Sequence, residues 1–244
     1  MGNSSVQLCL KMLITEKGAM NYIKQIVAIL GISSVLCAIP AVGFAQAPKQ
    51  PVERTNFQQS YNQGVQKLAQ GNFSGAIGDF DKVVQLKPEY SEAYCLRGQA
   101  KAQLGDFQAA LADYSRAVKL SPGHLDAYNV RGTLYAELGN VNAAVADFNQ
   151  TIKINPKFVD GYYNLGLLSL RLGNHKQALA KFNQALAINP RLADAYGNRG
   201  LTRYALGDTK SAIGDLEKAA SLFQEQGNAQ AYQQTETLLQ QIKR

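Results

Sequence analysis

Pro88, Pro122, Pro156 and Pro190 stand 34 residues apart, and this spacing organises the chain from Phe57 to its C-terminus. A fixed period of that length is the mark of a stacked helical solenoid, in which one supersecondary unit is repeated along a line. When each proline is counted as place 32 of its repeat, other residues fall into columns. Place 8 is Gly64, Gly98, Gly132, Gly166 and Gly200, and place 15 is Gly71, Gly105, Gly139, Gly173 and Gly207. Place 20 is Ala76, Ala110, Ala144, Ala178 and Ala212, and place 24 is Phe80, Tyr114, Phe148, Phe182 and Leu216.

The local chemistry of these columns predicts two helices per repeat. At places 14 to 16 stand the strings QGN, LGD, LGN, LGN and LGD. Glycine takes the left-handed conformation that closes a helix, and the following Asn72, Asp106, Asn140, Asn174 or Asp208 can accept a bond from a free N–H of the next. One tripeptide thus ends the first helix, over roughly places 2 to 14, and starts the second, over roughly places 17 to 30. Proline at place 32 stops the second helix, because it lacks an N–H and pushes its predecessor out of the helical region. Gly at place 8 and Ala at place 20 leave room for the two helices to approach closely, while the aromatic at place 24 and the leucines at places 14 and 30 are expected to fill the space between repeats. No single repeat has enough apolar area to hold itself together, so stability must come from neighbours stacking.

These columns resemble the tetratricopeptide repeat, a helix-turn-helix unit with Gly or Ala at place 8, Ala at 20, an aromatic at 24 and Pro at 32. The resemblance implies an all-α fold, a right-handed superhelical α-solenoid with a C-terminal capping helix. The repeats are placed at 57–90, 91–124, 125–158, 159–192 and 193–227. The fifth has Gln224 where the others have proline, and is followed by a capping helix at 228–244 in which Tyr232, Thr235, Leu238, Leu239 and Ile242 fall at helical spacing.

Ahead of the repeats, Lys24 precedes an apolar run from Ile26 to Ile39, followed by Pro40, Ala41, Gly43, Ala45 and Ala47. A basic start, an apolar stretch and a small-residue cleavage site describe a secretory signal peptide, placed at 1–45, with Met20 as the expected true start. The alternative is an uncleaved anchor over 26–44, the chain's one expected route to a membrane. Residues 46–56 carry two prolines and no apolar period, and read as a linker. The formal charge is +7; removing Lys11, Lys17, Lys24 and Glu16 with the leader leaves +5, dispersed along the repeats. Nucleic-acid binding would need a basic stripe on one face, and it is not expected here. The NxRG and ADF strings resemble those of short bacterial, especially cyanobacterial, repeat proteins, which implies a periplasm or thylakoid lumen.

No catalytic grouping, cofactor motif or metal spacing is present in the sequence, so a cofactor-free, non-enzymatic chain is expected. His124 follows Pro122 in a turn, His175 stands at place 17, and Cys95 at place 5 reads as packing. One pair of columns is sharper. Place 7 is Gln63, Arg97, Arg131, Leu165 and Arg199, and place 23 is Asp79, Asp113, Asp147, Lys181 and Asp215. Arg coincides with Asp in the same repeat, and the repeat with Leu165 has Lys181, so an ion pair within each repeat is expected.

In the family that these columns resemble, the first helices line a concave groove for peptides or extended segments of other proteins, with places 2, 5, 6, 9, 12 and 13 facing in. Carried over, this implies Tyr61, Asn62, Gln99, Asn129, Thr133, Tyr163, Asn164 and Asn198 as partner-binding residues, with an acidic ladder of Glu92, Asp126, Asp160 and Asp194 at place 2. An acid in the first turn of a helix is also favoured by the helix dipole alone. The basic clamp with which some members grip a chaperone's terminal carboxylate is missing. The expected role is an exported scaffold or adaptor for a protein or peptide, with self-association, or service as an accessory subunit of an enzyme, as alternatives.

Overall fold

The computed structural model describes residues 52–243, with side chains from Phe57 onward. The signal peptide at 1–45 and the anchor at 26–44 lie outside the described residues. All described regular structure is helical: α1 (Val52–Ala69), α2 (Phe73–Leu86), α3 (Ser91–Gln103), α4 (Phe107–Leu120), α5 (Leu125–Glu137), α6 (Val141–Ile154), α7 (Val159–Arg171), α8 (His175–Ile188), α9 (Ala193–Ala205), α10 (Thr209–Glu225) and α11 (Ala229–Ile242). They fall into two compact bodies, residues 52–156 and residues 157–243. Within each, consecutive helices pack as antiparallel pairs, and each pair packs on the next.

The turn chemistry explains the helix ends. Gly105 has φ +81°, and Gly71, Gly139, Gly173 and Gly207 are likewise left-handed. This lets the Asp106 N–H reach the Lys101 carbonyl at 3.0 Å and the Gly105 N–H reach that of Ala102 at 3.0 Å, satisfying carbonyls that the end of α3 leaves bare. Asp106 then accepts from the Ala109 N–H at 3.2 Å and opens α4. Asn72, Asn140 and Asp208 do the same work, whereas Asn174 starts α8 with no side-chain bond. Before the prolines, Lys87, Ser121, Asn155 and Asn189 have left the helical region, with φ of −138°, −130°, −137° and −125°.

Where proline is missing, the helix runs on. The second helices α2, α4, α6 and α8 are each 14 residues long, but α10 has 17 and ends at a second copy of the junction, Gln226-Gly227-Asn228. Gly227 has φ +71°, and Asn228 accepts from the Ala231 N–H at 3.1 Å to open α11. α11 packs Ala231 and Tyr232 against Ala219, Leu222 and Phe223 of α10.

Close approach at place 8 is visible in what a side chain would meet. A Cβ on Gly132 would lie 2.8 Å from the Phe148 ring, and one on Gly166 would lie 2.6 Å from Phe182. Such distances force the ring or the helix to move, so glycine sets the spacing of each pair.

Two expectations need correction. The stretch read as a linker at 46–56 already contains the start of α1 at Val52; Pro51 just before it and Glu53 in its first turn are both suited to a helix N-terminus. The place 14 leucines do not fill the space between repeats: Leu104, Leu138, Leu172 and Leu206 are 55%, 44%, 48% and 40% exposed. Each is the C-cap residue of its helix, where the chain is already turning into the glycine, so its side chain leaves the packed stripe. At place 30, Leu222 is buried but Leu86 is exposed.

Candidate functional site

The ion pairs form within repeats, as the columns imply. Arg97 donates from Nε and Nη2 to Asp113 at 2.9 and 2.6 Å, Arg131 to Asp147 at 2.8 and 2.8 Å, and Arg199 to Asp215 at 2.8 and 2.6 Å. These are bidentate bonds to nearly buried carboxylates. The remaining nitrogen has a role that the columns of places 7 and 23 do not reveal. Nη1 of each arginine reaches place 25 of the preceding repeat, at Asp81 (2.7 Å), Ser115 (3.1 Å) and Asn183 (2.8 Å). One guanidinium therefore fixes the angle inside its own repeat and ties that repeat to its neighbour.

A second cation was also there to be read, one helical turn further on at place 11. Lys67, Lys101 and Arg203 bond Asp79, Asp113 and Asp215 at 2.6, 2.7 and 2.8 Å. Lys67 explains how the first repeat manages with Gln63 at place 7. Burial raises the Asp79 carboxyl, but the Lys67 and Lys82 ammonium groups outweigh it and hold it below the usual carboxylate range. In the repeat without this pair, Leu165 is buried and Lys181 Nζ lies 5.7 Å from the centre of the Tyr162 ring.

Of the residues implied for partner binding, those of the first body are spread along α1, α3 and α5. Tyr61 is half-buried, edge-on to Phe80 at 6.2 Å and to Tyr90 at 5.5 Å. Burial first, then Glu92, pushes its hydroxyl pKa up. Asn62 is exposed and accepts from Gln58 Nε2 at 3.3 Å. Gln99 is buried. Asn129 and Thr133 are half-buried neighbours on α5, and the Thr133 hydroxyl donates to the Asn129 carbonyl at 3.0 Å.

In the second body the structure brings two of these residues together. Asn198 Nδ2 on α9 donates to Tyr163 Oη on α7 at 3.0 Å, across 35 residues of sequence. Both are buried, whereas Asn164 is half-buried. Burial changes what three of the implied residues offer: Gln99, Tyr163 and Asn198 shape the first-helix face from beneath, and Tyr61, Asn62, Asn129, Thr133 and Asn164 remain at least partly accessible.

His124 proves to be the N-cap of α5. Its Nδ1 accepts from the Ala127 N–H at 3.4 Å, and its Nε2 lies 3.0 Å from Glu92 Oε2 of α3. Cys95 is buried in α3. Among the described residues no group of three or more His, Cys, Asp or Glu side chains could hold a metal ion, and no helix is long and apolar enough to cross a membrane. α4, the end of α5 and its junction to α6 border an open depression of about 570 Å³ that includes Leu111, Ser115, Tyr135 and Leu138.

Models of the tetratricopeptide repeat match residues 61–124 and 160–225, and a TPR repeat model matches residues 132–173. The chain is a tetratricopeptide-repeat protein. Among solved structures, MamA is 24% identical with a TM-score of 0.60, the match covering 72% of this chain and 97% of that one. A thermophilic TPR protein of Thermus thermophilus is 21% identical with a TM-score of 0.61, covering 76% and 98%. YrrB, a TPR protein with an unusual peptide-binding site, is 17% identical with a TM-score of 0.56, covering 77% and 98%. Comparison with the curated proteins finds no match. Membership of that family gives the chain its general character as a protein-interaction scaffold, and the solved structures share its all-α fold of helix-turn-helix units.

Proposed function

We propose that this repeat protein is a non-enzymatic adaptor, exported to a periplasm or thylakoid lumen, that binds a protein or extended peptide along the first-helix faces of its repeats and serves the assembly of envelope or membrane complexes. The observation that carries the binding role is the set of half-buried amides on those faces, Asn129 on α5 and Asn164 on α7, with Thr133 and Tyr61 beside polar neighbours. Side-chain amides pair with a peptide backbone and so recognise an extended segment with little demand on its sequence. The export reading rests on the apolar run after Lys24 and the small residues that follow it.

Affinity capture from the native extract with Asn129→Ala/Asn164→Ala tests the site. Loss of partners captured by the unaltered chain supports it, and unchanged capture moves binding to another face. N-terminal sequencing of the mature protein tests export; a start near Gln46 or Pro48 supports cleavage, and an intact leader supports the anchor.

One observation favours a second reading, self-association. Leu104 and Leu138 are exposed at one end of their helices, and Leu138 borders the open depression. Sedimentation equilibrium at high concentration decides it: a monomer removes this reading.

A further inference from the structure

The depression between the second and third repeats departs from the pattern on which the chain is built. It lies wholly within the first body, bordered by Gln108, Leu111 and Ser115 of α4 and by Tyr135, Leu138 and Asn140 from the end of α5 and its junction to α6. These are places 18, 21 and 25 of one repeat and 11, 14 and 16 of the next. Across the first and second repeats the same six places include Asp81, Lys101 and Asp106, and across the fourth and fifth they include Lys176, Arg203 and Asp208. Across the second and third they include no Asp, Glu, Lys, Arg or His. The exchange removes an ion pair: Lys101 and Arg203 each give a nearly buried aspartate a second cation, whereas with Tyr135 at that place Asp147 keeps only Arg131.

The residues that replace the charges have a property in common. Amides and hydroxyls both donate and accept, whereas a carboxylate only accepts and an ammonium or guanidinium only donates. Ser115 Oγ accepts from Arg131 Nη1 at 3.1 Å and retains its own O–H, and Asn140 Oδ1 accepts from the Ala143 N–H at 3.3 Å and retains its NH₂ group. A group that plays both parts can bond its own copy. Knob and hole also share the patch, because Leu138 stands exposed on the rim of the depression. In a two-fold contact one surface meets itself, so it must carry its own complement, and a charge near the axis would face its like. A foreign partner imposes neither condition.

We infer that this depression is the contact surface of a two-fold homodimer, the Leu138 side chain of each copy entering the depression of the other and Gln108, Ser115, Tyr135 and Asn140 bonding across the seam. This rests on the self-association reading and adds the surface and its symmetry. It is compatible with the adaptor role, since no residue implied for partner binding borders the depression. Lasting interfaces bury roughly 1,200 Å² or more, so the contact is expected to run on to Leu104 and Phe107, exposed at the turn one repeat earlier.

Sedimentation equilibrium of the full chain is the test. Expected is a monomer–dimer equilibrium that changes little as salt is raised, because screening acts on charges and the seam has none. Leu138→Glu should weaken it about tenfold or more, whereas Leu206→Glu, at the same place in the second body, should leave it unaltered. Tyr135→Lys should weaken it too without loss of stability, since the lysine offers Asp147 the second cation that Asp113 has. Thermal unfolding checks that each variant is folded. Mixing Leu138→Glu with Leu138→Lys should restore a dimer that neither forms alone, a complementation that misfolding cannot imitate. A dimer indifferent to Leu138→Glu and Tyr135→Lys, or weakened equally by Leu206→Glu, would overturn this surface and leave self-association standing. A monomer at every concentration would overturn both.

Discussion

The third and fourth repeats share one frame and solve the same position in opposite ways. Both have glycine at place 8 against a phenylalanine at place 24, and a Cβ added there would lie 2.8 Å from the ring in one and 2.6 Å in the other. In the third, Arg131 locks onto Asp147 and also reaches Ser115. In the fourth, Leu165 is buried at the corresponding place and Lys181 has moved onto a tyrosine ring. Glycine against an aromatic is thus what the helix pair needs, whereas the arginine is a separate device for orienting and joining. Replacing a buried ion pair by apolar packing is often neutral, but removing half of one is not.

That contrast can be broken in graded steps. The largest effect is expected from Arg131→Leu, which leaves Asp147 without the arginine or any place 11 cation, since Tyr135 occupies that place. A loss of about 3–5 kcal/mol is expected by denaturant unfolding. Arg97→Leu should cost clearly less, because Lys101 still holds Asp113 at 2.7 Å. Equal losses would mean that the second cation contributes nothing. Next is Gly132→Ala, expected to cost about 1–3 kcal/mol through overpacking against Phe148. If the same change at Gly166 costs much less, the two frames are not equivalent. Third, the double change Arg131→Leu/Asp147→Leu should recover most of the loss of Arg131→Leu, to within about 1 kcal/mol of the unaltered chain.

The smallest effects are pH-dependent and of opposite sign in the two bodies. Asp79 has its carboxyl held below the usual range, so it stabilises the fold above its unfolded value, and that contribution disappears as pH falls through the depressed value. Asp194 has its carboxyl raised by burial, so it opposes folding at neutral pH and the opposition is relieved as pH falls through the raised value. Calorimetry should show Asp79→Asn lowering the melting temperature and Asp194→Asn raising it near neutrality, both differences shrinking in acid. Same-sign differences would remove the assigned causes.

The frame was legible because it is written in local signals: proline, a left-handed glycine and a short polar cap act within a few residues. The Arg–Asp pairs were legible for another reason, since the exception at Leu165 and Lys181 changes both columns together. Less visible were contacts set by how one pair leans on the next. The reach of Nη1 to Asp81, Ser115 and Asn183 crosses between repeats, and no single column shows it. The place 14 leucines misled because apolarity says nothing about which way a C-cap side chain turns. Asn198, implied as a groove-facing partner-binding residue, is buried instead for a similar cause: it bonds Tyr163 across from α9 to α7, and the spacing along one helix does not contain that contact. The longer α10 and the second QGN string at 226–228 were there to be read, but only once the missing proline is taken as a permission to continue.

Every junction between first and second helix is closed by backbone bonds that reach only a few positions from its own glycine. A 34-residue block duplicated or excised in frame therefore carries its own turn with it, and what changes at the joins is the pairing of place 7 with place 25 of the preceding repeat. Length in such a molecule is an adjustable dial, open to gene duplication or to deliberate splicing.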